Sequence, residues 1–212
     1  MQDYQARLIK LAIDRNILRF GQYTLKSGRI SPYFFNAGNF NDGHSMRVLC
    51  DSYASSIAVS KLPFDMLFGP AYKGIPLATG IAMAWDEKHQ QSLPYAYNRK
   101  EAKDHGEGGQ LVGAPISGRV LIVDDVISAG TSVREAVNWI QTAGAEVAGV
   151  AIALDREERG QGKLSAAQEV AAEFGFPVIA VISLTDLLYW LETAGLEVDI
   201  SAIKDYRNRY GV

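Results

Sequence analysis

The chain has 212 residues, a formal net charge of -3 at pH 7, 48% hydrophobic residues and 21% charged ones. That balance is ordinary for a globular protein that buries a core. It favours one compact α/β domain with a modest appendage and excludes a body-wide attraction to nucleic acid or an anionic membrane. A single cysteine, Cys50, excludes an internal disulfide and points to a reducing, cytoplasmic setting.

In chain order, Asp3–Asp14 carries Tyr4, Leu8, Leu11 and Ala12 at helical spacing, the stripe of an amphipathic helix. This mixed amino terminus lacks the apolar core of a secretory signal, and no stretch approaches the ~18 consecutive apolar residues of a membrane span. From Ile17 to Phe40 the chain turns rich in aromatics, glycine and serine, with β-like runs at Gln22–Leu25 and Tyr33–Asn36 and a turn at Lys26-Ser27-Gly28. Residues 1–40 thus read as a helix and a small hood ahead of a core spanning 41–212. Asp42 opens a helix running to about Ser60; its Cys50 falls in the apolar stripe and reads as a buried, inert thiol.

From Phe64 the rhythm is strand, loop, helix. Asp65–Phe68 is a short apolar strand ending at Gly69-Pro70, Ile75–Trp85 a helix and Pro94–Asn98 a strand. Arg99 to Ser117 has four glycines and little apolar content, and reads as a long mobile loop. Val120–Val123 is an unbroken branched run, as expected of a strand covered on both faces. A polar turn Asp124–Ser132 follows, then a helix with Val133, Ala136, Val137 and Ile140 on one face, closed by Gly144. Val147–Leu154 and Pro177–Ile182 read as strands, Leu164–Phe174 and Ser183–Ala194 as helices. Alternation of this kind predicts a doubly wound, mainly parallel sheet flanked by helices, with ligands beyond the carboxyl ends of the strands.

The turn Val120–Ser132, VLIVDDVISAGTS, carries the strongest chemical signal. Following a buried strand and opening a helix, its backbone N–H groups and the helix dipole can face an anion. Ser128, Thr131 and Ser132 add hydroxyls, while Ala129 and Gly130 let the chain approach closely. Asp124 and Asp125 would repel a bare phosphate. They make sense if the ligand also offers hydroxyls and a divalent cation, as a ribose 5-phosphate does. A capping cluster is the plainer reading, and two acids directly after four branched apolar residues make it the weaker one.

Val120–Thr131 resembles the 5-phosphoribosyl-1-pyrophosphate (PRPP) motif of the type I phosphoribosyltransferases. Phe20–Gly38, FGQYTLKSGRISPYFFNAG, resembles the hood of the orotate phosphoribosyltransferases. The likeness extends over nearly the whole chain, through Gly69–Pro76 and Ala153–Arg159. It implies a magnesium-dependent transfer of phosphoribose from PRPP to orotate, giving orotidine 5'-monophosphate and pyrophosphate in pyrimidine synthesis, by a homodimer.

Carried over residue by residue, the likeness implies that Asp124, Asp125, Val126, Ile127, Ser128, Ala129, Gly130, Thr131 and Ser132 hold the ribose phosphate. Lys26, Tyr72, Lys73, Arg99, Lys100, Lys103 and His105 face the PRPP. Lys103, Asp124 and Asp125 are the catalytic candidates. Phe34, Phe35, Ser128 and Arg156 meet the orotate, the fork of Arg156 suiting a bidentate pairing with its carboxylate. The glycine-hinged segment Arg99–Gly109 would act as a lid, with Arg99, Lys103 and His105 reaching the neighbouring subunit's site. Magnesium would be held mainly by PRPP and waters rather than by a protein cage. Threonine is common in the family where Ser128 stands, which keeps the hydroxyl and loses a methyl. Two other readings share the fold: a purine-salvage enzyme, which would have little use for Arg156, and a PRPP-sensing regulator, which would need a DNA-binding element.

Overall fold

The computed structural model describes residues 1–25, 27–103, 109–160, 162–196 and 198–212. Helix α1 (Asp3–Asp14) buries Leu8, Ile9 and Ala12 and leads into an antiparallel hairpin, β1 (Leu18–Thr24) and β2 (Ile30–Phe35), which forms a sheet of its own. Helix α2 (Gly43–Ser60) starts on a capping box, with Asp42 Oδ1 accepting the Ser45 N–H at 2.7 Å.

The main sheet has six strands: β3 (Met66–Gly69), β4 (Tyr95–Lys103), β5 (Gly109–Gly113), β6 (Arg119–Asp124), β7 (Glu146–Asp155) and β8 (Val178–Ser183), in the spatial order β5-β4-β3-β6-β7-β8. All neighbours pair in parallel except β4 and β5. Intervening helices are α3 (Gly74–His89), α4 (Thr131–Thr142), α5 (Ala166–Phe174) and α6 (Leu184–Ala194), and the chain finishes with α7 (Ile200–Tyr210).

The period of two along β6 divides the core. Leu121 and Val123 join a cluster with α1, α2, α3 and α6; Val120 and Ile122 join a second cluster with α4 and α5. All four are fully buried, which is why this strand is apolar without alternation. Among the parallel strands, chain order reverses between β3 and β6: the chain leaves β3 toward β4 on one side and leaves β6 toward β7 on the other. The turns after these two strands flank a crevice at the switch point.

Two features differ from the reading of the sequence. The described residues between Arg99 and Ser117 are largely strand: β4 continues to Lys103 and β5 runs antiparallel to it, pairing Ala96 with Gly113, Tyr97 with Val112 and Asn98 with Leu111, while residues 104–108 lie outside the described residues. Backbone pairing builds this hairpin, so the charged side chains along Arg99–Lys103 gave no apolar alternation to read. Helix α7 was not anticipated either, although Asp199 caps it by accepting the Ala202 N–H at 3.0 Å and Ile203 and Tyr206 are buried one turn apart. Cys50 is buried and burial pushes its thiol up to about 12, in keeping with an inert packing role.

Candidate active site

The turn after β6 is pinned from both faces of the sheet. Val126 packs against the cluster built on α2 and α3, and Ile127 against the one built on α4 and α5. Between these anchors and α4 the chain stands open to solvent: Ser128, Ala129, Thr131 and Ser132 are exposed around a buried Gly130. Gly130 sits at φ +71, where an L side chain is strained, and a Cβ there would lie 3.1 Å from Val170 Cγ2. Arg134, one turn into α4, donates from Nη1 to the Ala129 carbonyl at 2.6 Å and pairs with Glu173 of α5 at 2.6 Å, bracing the bend from outside.

Helices α2, α5, α6 and α7 each open on a side-chain oxygen that accepts an N–H of the first turn. Helices α3 and α4 have no such side-chain cap, and they are the two that start at the switch point. In α3 the Gly74 and Ile75 N–H groups donate to the Pro70 and Tyr72 carbonyls and Pro76 has none, so this helix offers the crevice its positive dipole end, whereas α4 opens behind the exposed bend with no side chain capping it.

Asp124 and Asp125 end β6 and are about nine-tenths buried, at 8% and 9% exposure. Asp124 Oδ1 accepts the Asp125 N–H at 2.9 Å, and the Asp124 carbonyl accepts the hydroxyl of buried Tyr53 at 2.6 Å. Burial first, and then the neighbouring Asp125 carboxylate, push the Asp124 carboxyl up to about 7. Lys73 crosses from the turn after β3, its Nζ 2.5 Å from Asp125 Oδ2. The site thus places an acidic pair between an anion cradle and a cation, an arrangement suited to a ligand with both hydroxyls and phosphates. Hard carboxylate oxygens here suit magnesium shared with a ligand and water. Among the described residues no group of three His, Cys, Asp or Glu side chains could hold a metal ion by itself.

The turn after β3 depends on glycine at both ends. A Cβ on Gly69 would lie 2.0 Å from the Gly74 carbonyl oxygen, so strand and helix approach backbone to backbone. Buried Asn98, on β4, accepts the Ala71 N–H at 2.9 Å through Oδ1. Tyr72 is 69% exposed, and the Lys100 ammonium stands 5.7 Å from its ring centroid. With Asn98, Arg99 and Glu101 these residues line an open cavity of about 350 Å³.

In the hood, Phe34 and Phe35 face opposite sides of β2. Phe35 packs against the core and Phe40, whereas Phe34 stacks 5.5 Å from Tyr23 with the Arg19 guanidinium 5.6 Å from its ring. Arg156, just after β7, lies beside the hood: Nη2 donates to Ser31 Oγ at 3.0 Å, and Cζ sits 4.1 Å from the Tyr33 ring centroid. Its Nε–Nη2 edge is engaged by Glu158 Oε1, at 2.8 Å and 2.5 Å, so a protein carboxylate already occupies one side of the fork. Lys26 and His105 lie outside the described residues, as does the side chain of Lys103.

The sequence reading passed over Tyr53, Asn98, Ser31, Glu158 and Arg134. The first two sit on elements whose patterns report only burial, and their contacts join residues 71 and 27 positions apart. Glu158 alone carried a signal, as an acid two residues from Arg156.

Comparison with known proteins agrees with this geometry. A family model described as a phosphoribosyl transferase domain matches residues 36–179. The chain is 57% identical to the orotate phosphoribosyltransferase of Pseudomonas putida (strain W619) and 58% identical to that of Thioalkalivibrio sulfidiphilus, each over 213 residues and the full length of both chains. Its fold is similar to the crystal structure of an orotate phosphoribosyltransferase from Francisella tularensis, with a TM-score of 0.88, 40% identity and coverage of 97% of this chain and 100% of that one. The Mycobacterium tuberculosis orotate phosphoribosyltransferase in complex with PRPP is also similar, with a TM-score of 0.63, 25% identity and coverage of 87% and 98%.

Proposed function

The chain belongs to the orotate phosphoribosyltransferase family, and from that premise we propose that PRPP occupies the crevice between the turns after β3 and β6 and that the base is read beside the hood. The observation that carries this reading is the meeting of Lys73 with Asp125 at 2.5 Å, which joins a cation to the acidic pair beside two uncapped helix starts. The proposed setting is the cytoplasm; no described helix is long and apolar enough to cross a membrane.

In this reading the 5-phosphate rests on the N–H groups and hydroxyls of Val126–Ser132. Asp124 and Asp125 accept hydrogen bonds from the ribose hydroxyls, in addition to the Asp125 N–H and the Lys73 ammonium that they already meet. Tyr72, Lys73, Lys100 and Lys26 face the pyrophosphate. Magnesium fits beside Asp124 and Asp125, where it would supply charge neutralisation to the leaving pyrophosphate. Phe34, Phe35 and Ser128 border the base, and Arg156 meets its carboxylate.

Cleavage of the anomeric C–O bond leaves positive charge on the ribose ring and negative charge on pyrophosphate, an oxocarbenium-like state. The chain's work is therefore positional and electrostatic. Asp124 and Asp125 fix the ribose against rotation. Lys73 and the lid residues Arg99, Lys103 and His105 hold the departing oxygens, Lys103 with the largest effect. The lid hairpin lies at the outer edge of the sheet, on β4 and β5, which supports a homodimer in which it reaches the partner's site.

Mixing the protein with PRPP, magnesium and orotate tests the proposal. Loss of orotate absorbance with release of pyrophosphate is expected, and hypoxanthine should not substitute. A Lys103→Ala variant should lose about a hundredfold in kcat, the equivalent of ~3 kcal/mol. Full turnover by that variant would remove the lid from the mechanism.

A further inference from the structure

The guanidinium of Arg156 is held on several sides. Nε and Nη2 meet Glu158 Oε1, Nη2 also donates to Ser31 Oγ, and the Tyr33 ring covers one face. A guanidinium carries its five N–H donors in one plane, and these contacts use its Nε–Nη2 edge, with the Tyr206 hydroxyl also set against Arg156 and Glu158. Glu158 is the more buried partner, with its side chain 13% exposed against 21% for Arg156.

A second cation faces the same carboxylate. Arg29 Nη1 stands 3.9 Å from Glu158 Oε2, lies over the Tyr210 ring at 4.9 Å and donates to the Arg159 carbonyl at 2.9 Å. Two guanidiniums therefore share one carboxylate. The segment bearing Glu158 is itself tied to the carboxyl terminus: Glu158 bridges to Gly211, the Arg159 N–H donates to the Tyr210 carbonyl at 2.8 Å, and the Val212 N–H to the Glu157 carbonyl at 3.0 Å.

We propose that Glu158 is the positioning residue of the base subsite. It clamps the Nε–Nη2 edge of Arg156 and thereby fixes the direction in which the rest of the guanidinium faces the base. The inference rests on the reading that Arg156 meets the base, and it assigns α7 and the last two residues the task of anchoring that clamp.

The test is steady-state kinetics on the full-length protein, varying orotate at saturating PRPP and PRPP at saturating orotate, together with calorimetric PRPP binding and thermal melting. Glu158→Ala should raise the KM for orotate at least tenfold, with PRPP affinity within twofold and the melting temperature little changed. Glu158→Gln keeps an acceptor for Nε and should recover most of the orotate KM. Unchanged orotate KM in Glu158→Ala, or loss of PRPP binding and thermal stability in step with orotate KM, would overturn the assignment and leave Glu158 as part of the scaffold. An Arg156→Ala control separates the two levels: orotate use unimpaired there would remove the base-reading role of Arg156, and the role of Glu158 with it.

Discussion

Lys73 Nζ lies 2.5 Å from Asp125 Oδ2, although the two residues stand 52 positions apart in the sequence. The contact exists because β3 and β6 are neighbours in the sheet, so the turns that follow them open side by side. It gives the crevice a cation placed to meet phosphate and an acid placed to meet hydroxyls.

Removing the cation should separate binding from folding. Lys73→Ala is expected to weaken PRPP binding by roughly tenfold to a hundredfold, since a charge-assisted hydrogen bond contributes about 1.5–3 kcal/mol. Global stability should stay within ~0.5 kcal/mol of wild type, because the Lys73 side chain is 56% exposed. Calorimetric PRPP titration beside a urea denaturation curve measures both.

The hydroxyl of Tyr53 offers a milder test of how the acidic pair is held. Tyr53→Phe preserves the buried ring and leaves the Asp124 carbonyl without that donor, for a stability loss of about 1–2 kcal/mol. If the bond also fixes where the acids point, kcat/KM for PRPP should fall several-fold while the KM for orotate stays put.

The Asp124 carboxyl, pushed up to about 7, has a consequence with a definite sign. Its folded value lies above its unfolded one, so its contribution to stability is full in acid, below the ordinary carboxylate range. That contribution is lost as pH rises toward and through about 7. Ribose hydroxyls and a divalent cation favour the charged form, so binding of PRPP with magnesium near pH 6–7 should release protons. Calorimetry in buffers of different ionisation enthalpy reads that release directly. Asp124→Asn should abolish it, make the free protein more heat-stable at pH 8 by about 2–4 °C per kcal/mol relieved, and remove most of the activity.

Gly74→Ala should act through the backbone. The new methyl would lie 2.6 Å from the Gly69 carbonyl carbon and 2.7 Å from Pro70 Cδ, neither of which can turn aside. A destabilisation of about 1–3 kcal/mol is expected from the overpacking, with PRPP affinity falling as the turn after β3 is displaced. Chemical denaturation with and without PRPP distinguishes the two effects.

Much of this was legible because local chemistry and global structure agree. Val120–Val123 is apolar at every position, which only a strand covered on both faces requires, and both of its faces are covered. The acids that follow could be read as hydroxyl-binding because the bend beyond them is made of small and hydroxylic residues. Asp42, Ser165 and Ser183 stand where helix caps belong and serve as such. The pairing of β4 with β5 was not legible, since it is made by the backbone of Ala96, Tyr97, Asn98 and Lys103 and leaves no apolar alternation along Arg99–Lys103. The periodicity of helix α7 is weak despite its Asp199 cap, because its apolar residues are few and are buried by packing on β2 and α6.

The sequence by itself determined the strand and helix alternation from Phe64 to Ala194 apart from β5, the acidic pair and the anion-binding bend, because each is a property of neighbouring residues and their periodicity. Tertiary structure alone decided which of these meet. Lys73 reaches Asp125, Tyr53 holds the Asp124 carbonyl, and Glu158 occupies the Nε–Nη2 edge of Arg156. The physical reason is that a side chain's free donors depend on every group packed around it, and Lys73 and Tyr53 come to the acidic pair from 52 and 71 positions away.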